Sequence, residues 1–379
     1  MARTALALIA AAALTALCAA QPPPGPGLNL MAPWSFEEGV GPFMSADPAA
    51  SASTTDDANL TRGAEAGAAM EYAFTAAAGK LAGVFAPTEG DLTTLKSVRL
   101  WLRTSEPAIM LIALTEADGS NYHAAFMSLP DRWQEIALDL GEFTLGDDST
   151  DENGRLDPGQ VGGAGIVDAT GFLAQMALQV PMLQAPELGA RVLWLDDVEL
   201  SAEGVPPRWE ETQVGGKRAV RLDSFEASPL QWIALAGKGL EVDYDPDLKA
   251  HGDFSLRLQY DLPPDKVIGI MTAPAGPNLE GLSCVRVWLV SEVDATVIIS
   301  AKERDDSEYT QMIELTAGDE LQPYDLDVAG FSLNDDSADE NGQLDLTQLK
   351  ELSIADVSVL AGKPVPVNTL WIDDLVFTE

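Results

Sequence analysis

From Val98 onward the chain alternates. Val98, Leu100 and Leu102 fall on one face of a period-two segment and Arg99, Trp101 and Arg103 on the other, the pattern of a strand with one face in a core. Ile109 to Thr115 is a continuous apolar run between Pro107 and Asp118-Gly119, which predicts a strand covered on both faces. Tyr122–Leu129 and Trp133–Leu140 continue a meander with turn residues at ordinary strand spacing. Upstream, Met70–Phe74 and Leu81–Phe85 predict strands flanking the small-residue run AAAGK, and Arg191–Leu200 predicts a closing strand. The order then returns in Leu222–Phe225, Phe254–Tyr260, Val267–Thr272, Val285–Val290, Ala295–Lys302, Tyr309–Leu315, Tyr324–Val328 and Leu370–Phe377. Neither half carries a long helical period. Many short strands with regular turns imply an all-β fold of two tandem antiparallel jelly-roll sandwiches.

The duplication is explicit at one place. Asp147–Asp157 reads DDSTDENGRLD and Asp335–Asp345 reads DDSADENGQLD, 188 residues later, identical at nine of eleven positions. Phe-Glu opens each copy at Phe36-Glu37 and Phe225-Glu226, and Trp-aliphatic-Asp-Asp closes each at Trp194–Asp197 and Trp371–Asp374. Internal repeats of this kind set the domain count before any motif is read. Residues 1–20 read as a signal peptide: Arg3 starts it, Ala5–Leu17 is apolar but too short to span a bilayer, and cleavage is expected after Ala20. Leu17 precedes Cys18 where a lipobox wants Gly or Ala, so a lipid anchor at Cys18 is the weaker processing route. A Pro/Gly-rich, flexible lead follows at 21–33, then a first sandwich at 34–202, a linker at 203–219 and a second sandwich at 220–379. The chain is thus expected to be exported, to the extracellular space, the periplasm or the cell surface, with no transmembrane segment in its mature part.

A net charge of −38 removes nucleic acid from the partners and disfavours anionic lipid, since both draw affinity from Lys and Arg. After cleavage only Cys284 remains, too few for an internal bridge, and it reads as a small buried hydrophobe. Export without disulfides calls for another source of rigidity, for which bound calcium is a candidate. No H-E-x-x-H, no G-x-S-x-G and no phosphate-cradling glycine loop is present, and neither His123 nor His251 matches a histidine in the other repeat. The expectation is a protein that is not an enzyme.

These features resemble the galactose-binding-like β-sandwich of non-catalytic carbohydrate-binding modules, nearest to family 11 and to the domain of complex I intermediate-associated proteins. The residues carrying the resemblance are the opening Phe-Glu, HGDFSLRLQYD (His251–Asp261), VRLWL (Val98–Leu102), RWQEIALDLGEF (Arg132–Phe143), the acidic loop, and LWLDDV (Leu193–Val198) with LWIDDL (Leu370–Leu375). The resemblance covers nearly the whole mature chain twice and implies binding of a glycan or polysaccharide, with weak sites strengthened by tandem linkage. It also implies a structural calcium between the opening acid and the terminal strand, which falls here on Glu37 with Asp196 and on Glu226 with Asp373. A structural or adhesive cell-envelope protein, its sandwiches contacting other proteins, is the alternative.

Sugar binding needs aromatic faces and a few polar groups placed to orient hydroxyls. Arg99, Trp101 and Tyr122 in the first repeat, and Arg286, Trp288 and Tyr309 in the second, would form such a platform if they share an exposed face; packing of these aromatics inside the sandwich is the other reading. The acidic loop also has two readings. Aligned with a helix-loop-helix calcium hand through Gly154, it puts Ser149 first, Asp151 third and Asn153 fifth, but Gln160 twelfth, where a bidentate Glu belongs; Ser337, Asp339, Asn341 and Gln348 repeat the departure. One reading is therefore a turn, with Asp157 and Gln160, or Asp345 and Gln348, as a capping box and Pro158 opening a helical turn. The other is a calcium loop using Asp148, Asp151 and Asn153, and Asp336, Asp339 and Asn341, with backbone carbonyls.

Overall fold

The computed structural model describes residues 27–29, 33–63, 67–146, 149–151, 153–179, 183–226, 229–234, 239–261, 266–274, 276–335, 337–339, 341–363 and 367–379. The expected signal peptide and most of the lead lie outside the described residues. The chain divides into two compact units, one of residues 1–179, 186–207 and 228–230, the other of 180–185, 208–227 and 231–379.

Unit 1 is built from β1 (Leu28–Asn29), β2 (Met44–Ser45), β3 (Ser51–Thr55), β4 (Ala69–Ala76), β5 (Ala82–Glu89), β6 (Ser97–Thr104), β7 (Ala108–Glu116), β8 (Asn121–Ser128), β9 (Gln134–Asp139), β10 (Thr144–Leu145), β11 (Val161–Asp168) and β12 (Gly189–Ser201). One sheet runs β1-β5-β11-β7-β8-β10, with β2 also on β5, and the other runs β3-β4-β12-β6-β9. Their inner faces supply one core: Met70 and Tyr72 of β4, Leu100 and Leu102 of β6 and Leu193 and Leu195 of β12, with Met110 and Ile112 of β7 and Ala124 and Phe126 of β8. β7 is buried along nearly its whole length, as its unbroken apolar run requires.

Unit 2 repeats the plan with β13 (Glu210–Val214), β14 (Lys217–Asp223), β15 (Ile233–Ala234), β16 (Leu240–Asp245), β17 (Ser255–Asp261), β18 (Ile268–Thr272), β19 (Cys284–Ser291), β20 (Ala295–Glu303), β21 (Glu308–Leu315), β22 (Gln322–Asp327), β23 (Ser332–Leu333), β24 (Leu349–Asp356) and β25 (Val367–Thr378). One sheet runs β13-β14-β25-β17-β16 and continues from β25 through β19 to β22; the other runs β15-β18-β24-β20-β21-β23. Leu256, Leu258, Val287, Leu289 and Ile372 of the first and Val297, Ile299, Leu352 and Ile354 of the second are buried side chains. The fold is thus two antiparallel β-sandwiches.

The repeated Trp-x-Asp-Asp is a bulge. The register between β12 and β6 shifts between Asp196 and Glu199, and the one between β25 and β19 shifts near Asp373. Asp197 and Asp374 take φ of 47° and 44° there. One extra residue on the long strand resets the alternation, so Leu193 and Leu195 before it and Val198 and Leu200 after it all face inward. The opening Phe is strained in the same way: Phe36 and Phe225 have φ of 60° and 58°, with rings buried against Phe43 and Trp232.

Two expectations need correction, and one segment left unassigned gains structure. Leu28, placed in the flexible lead, is buried and adds β1 in parallel to β5. The expected linker 203–219 contains β13 and the start of β14, for Gly215-Gly216, both at positive φ, make the two-residue turn of a hairpin pairing Val214 with Lys217. The segment after the acidic loop holds β11 and a ten-residue helix, α1 (Thr170–Gln179), that the sequence reading left unassigned. Among the described residues no helix is long and apolar enough to cross a membrane.

Candidate functional site

Arg99 and Trp101 stand half-buried on the outer face of β6, as the alternation requires. Arg62 reaches across, its guanidinium 4.9 Å from the Trp101 ring centroid, with Nε donating to Asp196 Oδ2 at 2.8 Å and Nη2 to Asp197. Opposite Arg103 on the neighbouring strand is Trp194. The Arg103 guanidinium lies 5.2 Å over its ring and its Nε1 donates to Glu71. In unit 2, Arg286 and Trp288 occupy the same face of β19, and Arg286 binds both oxygens of Asp325 at 2.6 and 2.7 Å. Trp371 pairs across from Val290 on β19 and Arg257 on β17, and its indole donates to Asp245 at 2.8 Å. Each outer face therefore carries two tryptophans on adjacent strands. The sequence reading missed Trp194 and Trp371 as members, although the repeated Trp-x-Asp-Asp was the signal.

Tyr122 and Tyr309 do not join this platform, which corrects the expected Arg-Trp-Tyr set. They stand on β8 and β21, in the opposite sheet of each unit, and are 1% and 0% exposed. Their rings share the inward face with Ala124 and Phe126 in one unit and with Ile313 in the other. Their hydroxyls emerge at the strand end and donate to the acidic loop, Tyr122 to Asp151 Oδ2 and Tyr309 to Asp339 Oδ2, each at 2.6 Å. Burial and the neighbouring carboxylate hold both phenols protonated, their pKa raised. The same bond pulls the Asp151 and Asp339 carboxyls below their usual range.

The loop is thus tied down from beneath. Asn153 Oδ1 accepts the Arg155 N–H at 2.7 Å and Asn341 Oδ1 the Gln343 N–H at 2.6 Å, while Gly154 and Gly342 supply φ near +65°. Ser120 and Ser307 donate to the Thr150 and Ala338 carbonyls, binding the preceding hairpin to the loop in both units. A short helical turn follows, with Pro158 at its first position in unit 1. The reciprocal capping box expected there is not formed. Asp157 receives the Gln160 side chain at 3.0 Å and Asp345 the Thr347 N–H at 2.9 Å. The box lies instead at Asp139 and Glu142, beside the end of β9. Asp148 and Asp336 lie outside the described residues.

The hairpin contributes carboxylates that the sequence reading did not single out. Ligand oxygens of Glu116, Asp118 and Asp151 lie within 4.8 Å of one another, and those of Glu303, Asp305 and Asp339 do the same. The signal was a second short repeat, E-x-D-x-S-x-Y, from Glu116 to Tyr122 and from Glu303 to Tyr309. The backbone N–H groups of Asp157 and Asp345 donate to Glu116 and Glu303. Burial chiefly raises the pKa of both glutamates, and the surrounding aspartates add to the rise.

The terminal-strand carboxylates have other partners. Glu37 Oε1 accepts the Ala68 N–H, and Glu226 Oε1 those of Asp253 and Phe254 at 2.9 Å. Gly67 and Gly252 make this approach possible, since a Cβ would fall 1.5 Å from Glu37 Oε1 and 2.3 Å from Glu226 Oε1. Asp196 accepts from Arg62 and from the Asp197 N–H. Asp373 Oδ2 accepts the Ala250 and His251 N–H groups at 2.6 and 2.9 Å, and Oδ1 the Asp374 N–H at 2.7 Å. Both oxygens of Asp196 and of Asp373 are thus taken by N–H donors, which stand where the ligands of a cation would have to leave room. Among the described residues neither Glu37 with Asp196 nor Glu226 with Asp373 belongs to a group of three acidic ligand atoms within 4.8 Å.

No family model matches the sequence, and no curated protein matches it. Among solved structures the chain is similar to a family 11 carbohydrate-binding module from Clostridium thermocellum in complex with a beta-1,3-1,4-mixed-linked tetrasaccharide, at 14% identity over 42% of this chain and 94% of that one, with a TM-score of 0.34. It is similar to the N-terminal tandem of family 22 modules of a Paenibacillus barcinonensis protein, at 12% identity over 94% of this chain and 99% of that one, with a TM-score of 0.28. A family 30 carbohydrate-binding module of a cellulosomal cellulase of Clostridium thermocellum matches at 14% identity over 42% of this chain and 97% of that one, with a TM-score of 0.33.

Proposed function

We propose that the chain is an exported, non-catalytic protein that binds a glycan or polysaccharide through the outer, tryptophan-bearing sheet of each unit. The observation that carries the reading is the pair of indoles on adjacent strands, the half-buried Trp288 and Trp371 in unit 2 and, in unit 1, the half-buried Trp101 with a buried Trp194, set among arginines and carboxylates. Indole faces stack on the apolar faces of sugar rings, while guanidinium and carboxylate groups such as Arg286 and Asp325 orient hydroxyls. Calcium belongs to the proposal as a structural ion that stiffens a chain with no disulfide among its described residues. The alternative, an adhesive envelope protein, is favoured by the unit 1 face, where Arg62 and Arg103 already cover the indoles.

Affinity electrophoresis of the full chain through gels containing soluble polysaccharides tests the reading, with a beta-1,3-1,4-mixed-linked glucan in the panel. Retardation should weaken at least tenfold in Trp288→Ala and Trp371→Ala, about 1.4 kcal/mol of binding free energy each, with the thermal transitions intact. A chain that migrates unretarded in every gel, plant, microbial and matrix glycans included, leaves the adhesive reading standing instead.

A further inference from the structure

We propose that Glu116, Asp118 and Asp151 together bind a divalent cation of the calcium type, which clamps the hairpin between β7 and β8 to the acidic loop. The inference rests on the calcium part of the reading above and gives that ion a ligand set, one that is neither the terminal-strand pair nor a helix-loop-helix hand.

The first observation is convergence: oxygens of the three carboxylates approach within 4.8 Å of one another. The second is independent of it. Glu116 is only 3% exposed, and its Oε2 is buried with no hydrogen-bond partner. Buried polar atoms are nearly always satisfied, and an ionised oxygen without a donor beside two further carboxylates is doubly unfavourable. A cation at that point satisfies the orphan oxygen and offsets the like charges at once.

The surrounding bonds prepare the set. The Asp157 N–H donates to Glu116 Oε1, and the Ser120 N–H donates to Asp118 Oδ1 at 2.8 Å. The Tyr122 hydroxyl and the Arg155 N–H both donate to Asp151 Oδ2, at 2.6 and 3.1 Å. In each carboxylate these framework bonds fall on a single oxygen and fix its plane. Unit 2 uses the corresponding atoms: Asp345 N–H to Glu303 Oε1, Ser307 N–H to Asp305 Oδ1, and Tyr309 with the Gly342 N–H to Asp339 Oδ2. Two copies that differ at many other positions keep the same acids and the same oxygens engaged.

Donor chemistry selects the ion. The donors are oxygens alone, with no thiolate or imidazole in the group, which suits a hard cation. A set drawn from a hairpin and a separate loop accommodates the irregular, many-oxygen shell of Ca2+ more readily than the strict octahedron of Mg2+.

The test titrates CaCl2 into chelator-treated full chain, followed by calorimetry and thermal unfolding. The wild-type melting temperature should rise by about 5 °C or more at a hundredfold excess over Kd, with a smaller response to MgCl2. Glu116→Gln separates this site from any other. Its amide keeps an acceptor for the Asp157 N–H and turns a donor toward Asp118 and Asp151. The metal-free variant should therefore melt at or above wild type, while bound calcium falls by one equivalent per chain. Asp151→Asn should lose the same equivalent with the unit 2 transition unchanged, which guards against misfolding. A wild-type chain indifferent to calcium overturns both the ion and its site. A calcium response that persists at full stoichiometry in both variants overturns the site and leaves calcium bound elsewhere.

Discussion

Asp373 offers a titration whose sign depends on what surrounds it. The residue is fully buried in β25, and three backbone N–H groups donate to its carboxylate. Burial outweighs them and pushes its pKa up to about 6 from an ordinary 3.8. A rise of about two units, at 1.36 kcal/mol per unit, is about 3 kcal/mol. Between about pH 4 and 6 the folded protein holds a proton that the unfolded chain has released. The contribution is therefore fully present below pH 4 and is lost as pH rises through 6. Asp373→Asn is uncharged throughout, so the difference in unit 2 melting temperature between variant and wild type isolates the group, while the other carboxylates cancel. Wild type should lose about 6–12 °C relative to the variant between pH 4 and 7, at the 2–4 °C per kcal/mol typical of a unit this size. Parallel curves would refute the burial argument. A wild type that gains on the variant as pH rises would mean a cation holds Asp373 ionised, which would reinstate the terminal-strand calcium site.

Gly252→Ala and Gly67→Ala should each destabilise their unit by about 1–2 kcal/mol or more in denaturant titrations, since both sit at positive φ and a Cβ would strike the glutamate that holds the loop. Arg62→Met removes the cation partner of Asp196, which is 1% exposed, and should cost unit 1 about 3 kcal/mol; it also uncovers Trp101, so acrylamide quenching of fluorescence should rise. Tyr122→Phe removes a charge-assisted bond to Asp151 and should lower unit 1 stability by about 1–2 kcal/mol, measured by urea unfolding.

The strands with clear alternation or an unbroken apolar run were legible, because their burial follows from period two alone. Val98–Leu102 and Ile109–Thr115 lie inside β6 and β7 as read. What hid was structure built by small residues. β11 is VGGAGIVD, a central strand between β5 and β7 with little side chain to display a pattern, and Gly83 on β5 is needed because a Cβ would lie 2.4 Å from the Ile166 carbonyl. The Gly215-Gly216 pair punctuates linkers and hairpins alike, and only the partners of the flanking residues tell them apart. At the sites the gap is larger. That Asp151 would meet Glu116 and Asp118 depends on how a hairpin folds over a loop more than thirty residues further along, which no local spacing encodes. The tyrosines were misplaced for a related reason: a period-two pattern says that faces differ but not which sheet a face belongs to.

The two units share a frame and differ in how they satisfy it, and that difference bears on the surface. Both need an acceptor at the bulge, and both supply it with Asp-Asp. In unit 2 the first of these acids is held by the backbone of Ala250 and His251, and the second by Arg221 from β14. In unit 1 a single side chain, Arg62, takes both Asp196 and Asp197, and to do so it must cross the outer face above Trp101. The lock and the aromatic face are therefore coupled in unit 1: stacking a sugar on Trp101 would require moving the group that neutralises a buried carboxylate. In unit 2 the lock lies in the backbone and β14, and among the described residues no guanidinium stacks on Trp288, although it stands opposite Asp373. The frame explains why the motifs repeat so faithfully, and the choice of side chain or backbone to satisfy it decides which face is free to bind. For that reason Trp288 and Trp371, rather than Trp101 and Trp194, carry the sharper test of glycan binding.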